Sequence, residues 1–277
     1  MVERLMSQPE NTRLPETQTL LIQRQDSVLH VWFNRPEAKN ALSAEMTDEL
    51  VAVLNAIAPD RSIRTLVLRG SGGVFCAGGD IKGFKSGMQT IDADEVAKSN
   101  RAFGDVMIKL NEQPQVVIAL VEGAAIGGGL GLACVADVTL VTADAKFRLS
   151  ETSLGIPPAQ IAPFVTERVG LTQARRLMLT GARFNGEEAA RIGIAHGVAA
   201  NAEDLDAQCR AILKQINACA PGANAVTKSI LFETLRRPRA EALDFASHGF
   251  AQCMLSDEGL EGVAAFFEKR KASWNKD

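Results

Sequence analysis

A chain of 277 residues, 46% of them hydrophobic and 23% charged, has ample material for one large core or two small ones. Its formal net charge of −3 gives no electrostatic basis for binding nucleic acid or an anionic membrane, and its longest apolar run, 123–136, is too short and glycine-rich to span a bilayer. The five cysteines form no Cys-x-x-Cys pair, as expected of reduced thiols in a soluble cytoplasmic protein.

Residues 1–17 are polar, contain Pro9 and Pro15, and are expected to form a disordered leader with no apolar signal segment. Apolar clusters at 19–22 and 28–33, separated by Gln25-Asp26-Ser27, predict a hairpin. Ser43 is suited to cap a helix over 44–56, with Met46, Leu50, Val53, Leu54 and Ile57 on one face. A buried strand follows at 65–69 and ends in the turn Gly70-Ser71-Gly72-Gly73. The pattern then predicts an amphipathic helix over 94–113, a buried strand over 116–121, a helix over 130–136 and a strand over 137–142.

This alternation argues for an α/β architecture. Beyond about residue 167 only helical patterns remain, near 171–180, 186–193, 203–219, 223–236, 240–255 and 258–271. No linker separates the halves. The expected division is a leader over 1–17, an α/β core over 18–200 and a helical region over 201–277.

The chemistry concentrates in VVIALVEGAAIGGGLGLACVAD, residues 116–137, and in Glu151, fourteen residues further on. Gly127, Gly128 and Gly129 remove side chains where a strand turns into a helix, and the first N–H groups of a helix are unpaired. Such a turn suits a developing negative charge on oxygen. A second glycine turn, VFCAGGD at 74–80, offers a partner N–H. Two backbone donors and one carboxylate compose a site that can handle an enolate. Each part alone has a plainer meaning: a packing turn, or a solvated loop carboxylate. No GxGxxG, GxSxG, Gly-Lys phosphate loop or histidine metal spacing is present, so no metal is expected. Cys76 and Cys134 lack a nearby histidine and are expected to be small core residues, while His30, His196 and His248 are widely spaced.

Seven stretches in order resemble the crotonase (enoyl-CoA hydratase/isomerase) superfamily: NRPEAKNAL at 34–42, TLVLRG at 65–70, VFCAGGDIK at 74–82, VEGAAIGGGLGLACVAD at 121–137, FRLSETSLGI at 147–156, LTGARFNGEEAARIGIAHGV at 179–198 and EGVAAFFEKR at 261–270. The resemblance implies a right-handed spiral of ββα turns with a helical C-terminal region, assembled as homo-trimers or as hexamers made of two trimers. It implies an acyl-CoA thioester substrate, with coenzyme A part of the substrate and no separate cofactor. Gly79 and Gly128 would supply the oxyanion N–H groups, and Glu151 the general acid–base. Ala38, Ala77, Asp80, Ile81 and Lys82 match positions lining coenzyme A. Phe266 and Lys269 match a segment that reaches it, often from a neighbouring subunit.

One position departs from the best-known hydratases of that family, which carry a second glutamate where this chain has Gly131. A lone carboxylate suffices for an isomerase that takes a proton from one carbon and returns it to another. It does not exclude hydration, because the same carboxyl can orient water and return its proton to the α carbon. Gly131 is expected to enlarge the acyl pocket, and Arg148 is either a partner for a distal substrate carboxylate or an ordinary surface arginine. Within the family the chain is similar to the branched-chain glutaconyl-CoA hydratases, and SETSLGIPPAQIAPF is similar to those of acyclic terpene breakdown that act on isohexenylglutaconyl-CoA. The expected activity is hydration of a 2-enoyl-CoA. The alternatives are a Δ3,Δ2-enoyl-CoA isomerase and a non-catalytic acyl-CoA-binding protein.

Overall fold

A computed structural model describes residues 12–80 and 92–275 of the chain. Ile81 and Lys82 lie outside the described residues, as do positions 1–11 of the expected leader. The rest of that leader is engaged: Leu14 packs against the core and the Thr17 hydroxyl donates to the Leu20 carbonyl.

The hairpin forms from β1 (Leu20–Gln25) and β2 (Val28–Phe33), with Asp26 at φ 52° in a two-residue turn. Parallel strands β3 (Thr65–Gly70), β4 (Val116–Val121), β6 (Val138–Thr142) and β9 (Gly197–Ala199) extend it into a six-stranded sheet ordered β1-β2-β3-β4-β6-β9. A second sheet consists of β5 (Ala124–Ile126), β7 (Lys146–Arg148) and β8 (Arg183–Phe184). Strands β4 and β5, then β6 and β7, place one strand in each sheet in succession. This is the ββα spiral expected from the resemblance. The strands β5, β8 and β9 carry no periodicity that predicts them, because two or three residues cannot show an alternation.

The continuous apolar runs of β3 and β4 follow from burial on both faces. Leu66, Leu68, Val117, Ala119 and Val121 enter the main core; Val67, Ile118 and Leu120 face a second one. Helix α1 (Ala44–Ile57), capped by Ser43 accepting from the Met46 N–H, covers the main core with the five side chains its spacing predicts. Each such fully buried side chain contributes about 1.5–3 kcal/mol. Helix α2 (Ala93–Asn111) packs beside α1, and helix α3 (Gly128–Val135) is buried nearly all round.

Helix α4 (Ala162–Thr180) is two helices meeting at Gly170, whose φ of 72° breaks the run that the sequence pattern shows only over 171–180. Then come α5 (Gly186–Arg191) and α6 (Ala202–Asn217). Helix α6 closes the second core through Leu205, Cys209 and Ile216. Helices α7 (Pro221–Arg236), α8 (Arg239–Met254) and α9 (Asp257–Glu268) complete the C-terminal region. No described helix is long and apolar enough to cross a membrane.

Lys228 ties this helical region to the α/β core. Its ammonium is buried and donates to the Gln113 and Gln115 carbonyls and to Asp137 Oδ2, which also accepts from the Val117 N–H at 2.7 Å. Every proton of the cation has an acceptor, two from the segment that leads into β4 and one, Asp137, from the turn that leads into β6. Lys228→Met should therefore lower stability in urea unfolding by about 3 kcal/mol, the cost of orphaning one partner of a buried pair.

Candidate active site

Three separate segments are stitched together around the two glycine turns. Asn40 is fully buried at φ 55°; its Oδ1 accepts from the Arg35 N–H, and its Nδ2 donates to the Ser71 and Val74 carbonyls. That amide fixes the 38–42 loop against the strand leading to Cys76. The Ala77 N–H donates to the Lys39 carbonyl, the Leu42 N–H to Gly78 and the Asp80 N–H to Leu42. Arg35 closes the arrangement, donating to the Ala41 carbonyl and pairing with Asp80 at 3.0 Å. Ala38, Ala77 and Asp80 are thereby brought together.

The pairing of Leu42 with Gly79 uses the Gly78 carbonyl and the Asp80 N–H, so the Gly79 N–H takes no part in it and faces the other way. Cys76 pairs in parallel with Ala125 of β5, its N–H donating to Ala124 and its carbonyl accepting from Ile126. Gly79 and Gly128 each follow three residues beyond that bridge, past a stretch where the two segments run close together. Side chains would prevent that approach: a Cβ at Gly78 would lie 3.1 Å from the Ile126 carbonyl, and one at Gly129 only 2.7 Å from the Cys76 Cβ.

Helix α3 starts at Gly128, two residues before the sequence pattern suggests, because Gly127 at φ 51° is its N-cap and the glycines form its first turn. The Gly128 N–H is thus the first free donor of the helix. The position is walled by apolar side chains, with Leu42 Cδ1 3.0 Å and Phe103 Cζ 3.3 Å from where its Cβ would be.

Glu151 begins the 3-10 turn Glu151–Leu154, directly after β7. Its carboxyl lies against Gly127: a Cβ there would sit 2.7 Å from Glu151 Oε1. The side chain is half-buried, and Oε2 is buried with no hydrogen-bond partner among the described residues. Burial pushes the carboxyl above its ordinary pKa, while the backbone N–H groups of Glu151 and Ser150 oppose the shift. A desolvated carboxyl with an empty oxygen, one residue from a free helix donor, is equipped to exchange a proton with a bound substrate.

Gly131 does not open the pocket as expected. It is buried, and a Cβ there would fall onto Ile161 Cγ2, with Ile161 Cβ at 3.0 Å and Met107 Cε at 3.2 Å. The space released by the absent side chain is filled by an isoleucine supplied from just before α4. Arg148 donates its guanidinium to the Gly181 carbonyl and the Ser153 hydroxyl, so its recorded bonds hold the protein. Phe266 and Lys269 lie at the C-terminal end of α9, Phe266 79% exposed and Lys269 at its C-cap. Cys76 and Cys134 are core residues whose thiols burial pushes up to about 12. His196 accepts the Thr139 N–H on Nδ1, a structural bond.

Leu42, Phe103, Met107 and Ile161 were not identifiable in advance as site residues. Leu42 and Ile161 lie inside the stretches NRPEAKNAL and SETSLGIPPAQIAPF, and Phe103 and Met107 on the amphipathic helix predicted over 94–113, but no pattern marked them individually. Gly131→Glu should not simply restore a second carboxylate. Its side chain collides with Ile161, and overpacking should lower the thermal midpoint at a cost of about 1–3 kcal/mol. Adding Ile161→Ala should return much of that loss, which thermal unfolding of the single and double variants would measure.

The family model for enoyl-CoA hydratase/isomerase matches residues 23–277. AtuE of Pseudomonas aeruginosa is 49% identical over 94% of this chain and 100% of its own, with a TM-score of 0.91. An enoyl-CoA hydratase/isomerase from Marinobacter aquaeolei is 45% identical over 93% of this chain and 99% of its own, with a TM-score of 0.90. A probable enoyl-CoA hydratase of Rhizobium meliloti is 34% identical over 258 residues, 93% of this chain and 98% of that protein. A match of this length, on a spiral fold shared with these structures, makes the chain a member of the enoyl-CoA hydratase/isomerase family, the crotonase superfamily.

Proposed function

We propose that this enoyl-CoA hydratase prefers a branched, 3-substituted glutaconyl-type acyl chain, such as isohexenylglutaconyl-CoA of acyclic terpene catabolism. In this proposal Glu151 is the general acid–base, and the Gly79 and Gly128 amides are the oxyanion donors. The observation that carries the catalytic part is the Glu151 carboxyl, packed on Gly127 with Oε2 bare. Hydratase activity is supported by relatives that bear that name in Rhizobium meliloti and Clostridium acetobutylicum. The branched acyl group is supported by the SETSLGIPPAQIAPF resemblance and by the apolar wall of Leu42 and Phe103.

The chemistry follows from the geometry. The Glu151 carboxylate takes a proton from water as the water oxygen bonds to C3 of the enoyl group. The electron pair moves through C2 to the thioester oxygen, where the two amides meet the developing charge. One such donor is worth about 2.7–4 kcal/mol of barrier. Protonated Glu151 then delivers its proton to C2, and the thioester carbonyl re-forms. Ala38, Ala77, Asp80, Ile81 and Lys82 are proposed to line coenzyme A, and Gly131 to shape the acyl end through Ile161. Leu231, Leu235, Leu243, Phe250, Leu255 and Phe266 are all more than 60% exposed on the C-terminal helices and adjoining turn. This apolar surface supports assembly as trimers or hexamers, where Phe266 and Lys269 would reach a neighbouring site.

A lone carboxylate also serves a Δ3,Δ2-enoyl-CoA isomerase, and one experiment separates the two. Mass-resolved turnover of linear 2-enoyl-, 3-enoyl- and 3-methylglutaconyl-CoA should show the gain of one water, fastest on the branched thioester. A shifted double bond at constant mass would instead establish the isomerase. Glu151→Gln should lower kcat by at least about 10²-fold with acyl-CoA affinity nearly unchanged. Acyl-CoA binding without turnover, unaltered by Glu151→Gln, would point to a binding protein, whereas preserved turnover in the variant would remove Glu151 from the mechanism.

The pH dependence has a definite sign. Burial raises the pKa of Glu151, so its carboxylate, the form that accepts the water proton, is lost on acidification earlier than for an exposed glutamate. The acid limb of a kcat/KM profile should lie above the ordinary glutamate range and disappear in Glu151→Gln.

A further inference from the structure

We infer that Arg148 is a positioning residue for the acid–base, holding the turn that carries Glu151 rather than binding a substrate carboxylate. The inference rests on Glu151 being the acid–base of the reaction. Glu151 Oε2 has no hydrogen-bond partner among the described residues, so no side chain of theirs aims the carboxyl at that oxygen. Its direction must come from the backbone of the 3-10 turn. That turn is a poor anchor by itself, since Thr152 to Pro157 are exposed. Two side-chain attachments hold it. The Thr152 hydroxyl donates to the Met178 carbonyl at 2.8 Å, and Arg148 Nη2 donates to Ser153 Oγ at 3.2 Å.

The Arg148 attachment reaches the catalytic residue by a short path. Ser153 Oγ donates in turn to the Ser150 carbonyl at 2.6 Å, and the Ser153 N–H donates to the same oxygen. The guanidinium therefore clamps the peptide that immediately precedes Glu151. Its other end is fixed, because Nε donates to the Gly181 carbonyl at 3.0 Å, at the C-terminus of α4 where helix carbonyls carry partial negative charge. The main chain of the same residue acts on the oxyanion side: the Gly127 N–H donates to the Arg148 carbonyl at 2.9 Å, and Gly127 caps the helix that begins with Gly128. One residue thus spans from the end of α4 to both halves of the site. A planar guanidinium with several donors suits this better than an ammonium. With two of its nitrogens committed to protein oxygens, Arg148 is built into the turn.

The test measures kcat and KM for Arg148→Ala, Arg148→Lys, Ser153→Ala and the Arg148→Ala/Ser153→Ala pair, each also in a Glu151→Gln background. A linear 2-enoyl-CoA and 3-methylglutaconyl-CoA serve as substrates. Arg148→Ala should lower kcat by about 10²-fold on both, the scale of a misplacement near 1 Å, with KM changed by less than about threefold. Arg148→Lys should recover part of the loss. Ser153→Ala should lower kcat less, and the pair should be no worse than Arg148→Ala alone, since both break one chain of contacts. In the Glu151→Gln background, Arg148→Ala should leave the residual rate nearly unchanged.

A KM increase confined to the carboxylate-bearing substrate would overturn the inference and make Arg148 a substrate contact. Losses that add, and that persist in Glu151→Gln, would overturn it in favour of general destabilisation. Should Arg148→Ala fail to fold, unchanged kcat in both Arg148→Lys and Ser153→Ala would overturn it. Full turnover by Glu151→Gln itself would remove the acid–base assignment, a failure distinct from that of Arg148.

Discussion

Two backbone N–H groups can serve one oxygen only if two separate stretches of chain run side by side in register with nothing between them. Here the pairing of Cys76 with Ala125 brings together the two segments that lead to Gly79 and Gly128, the pair proposed for this role. Much of the local architecture serves this alignment. Asn40 holds the loop that pairs with Gly79, Arg35 and Asp80 close it, and Gly78 and Gly129 remove the side chains that would force the strands apart. Donors of this kind belong to the main chain and would need no reorganisation when charge appears.

The carboxylate is placed by a different logic. Glu151 gains its elevated pKa from burial and its direction from a turn, with no charged neighbour among the described residues to tune it. A buried carboxyl oxygen without a partner is costly in an ordinary core. It persists here because β7, the Gly127 cap and the contacts of Ser153 and Thr152 leave the side chain no alternative place. Stability surrendered at Glu151 is balanced elsewhere, as in the fully paired Lys228 ammonium that fastens the helical region to the core.

Gly131 shows how a vacant side chain is reused. Loss of a side chain on α3 need not create a cavity, because interiors are packed to near-crystalline density and a neighbour moves in. Ile161 and Met107 take that space, so the surroundings of Gly131 are apolar and set by residues on α2 and just before α4.

Much of this protein was determined by sequence alone, where the physics is local. The long helices and β1 to β4 follow from side-chain periodicity, Ser43 from capping, and Gly127 to Gly129 with Glu151 from the chemistry that unpaired helix donors and a lone carboxylate offer. Tertiary structure decided what depends on register and on contacts between distant segments. Strands of two or three residues carry no pattern, yet β5 and β7 set the distance from Gly128 to Glu151. Arg148 looks like any surface arginine until Gly181 and Ser153 are folded against it. Gly131 looks like an opening until Ile161, thirty residues away, fills it. A sequence displays which groups are present; only the packed chain decides which of them face one another.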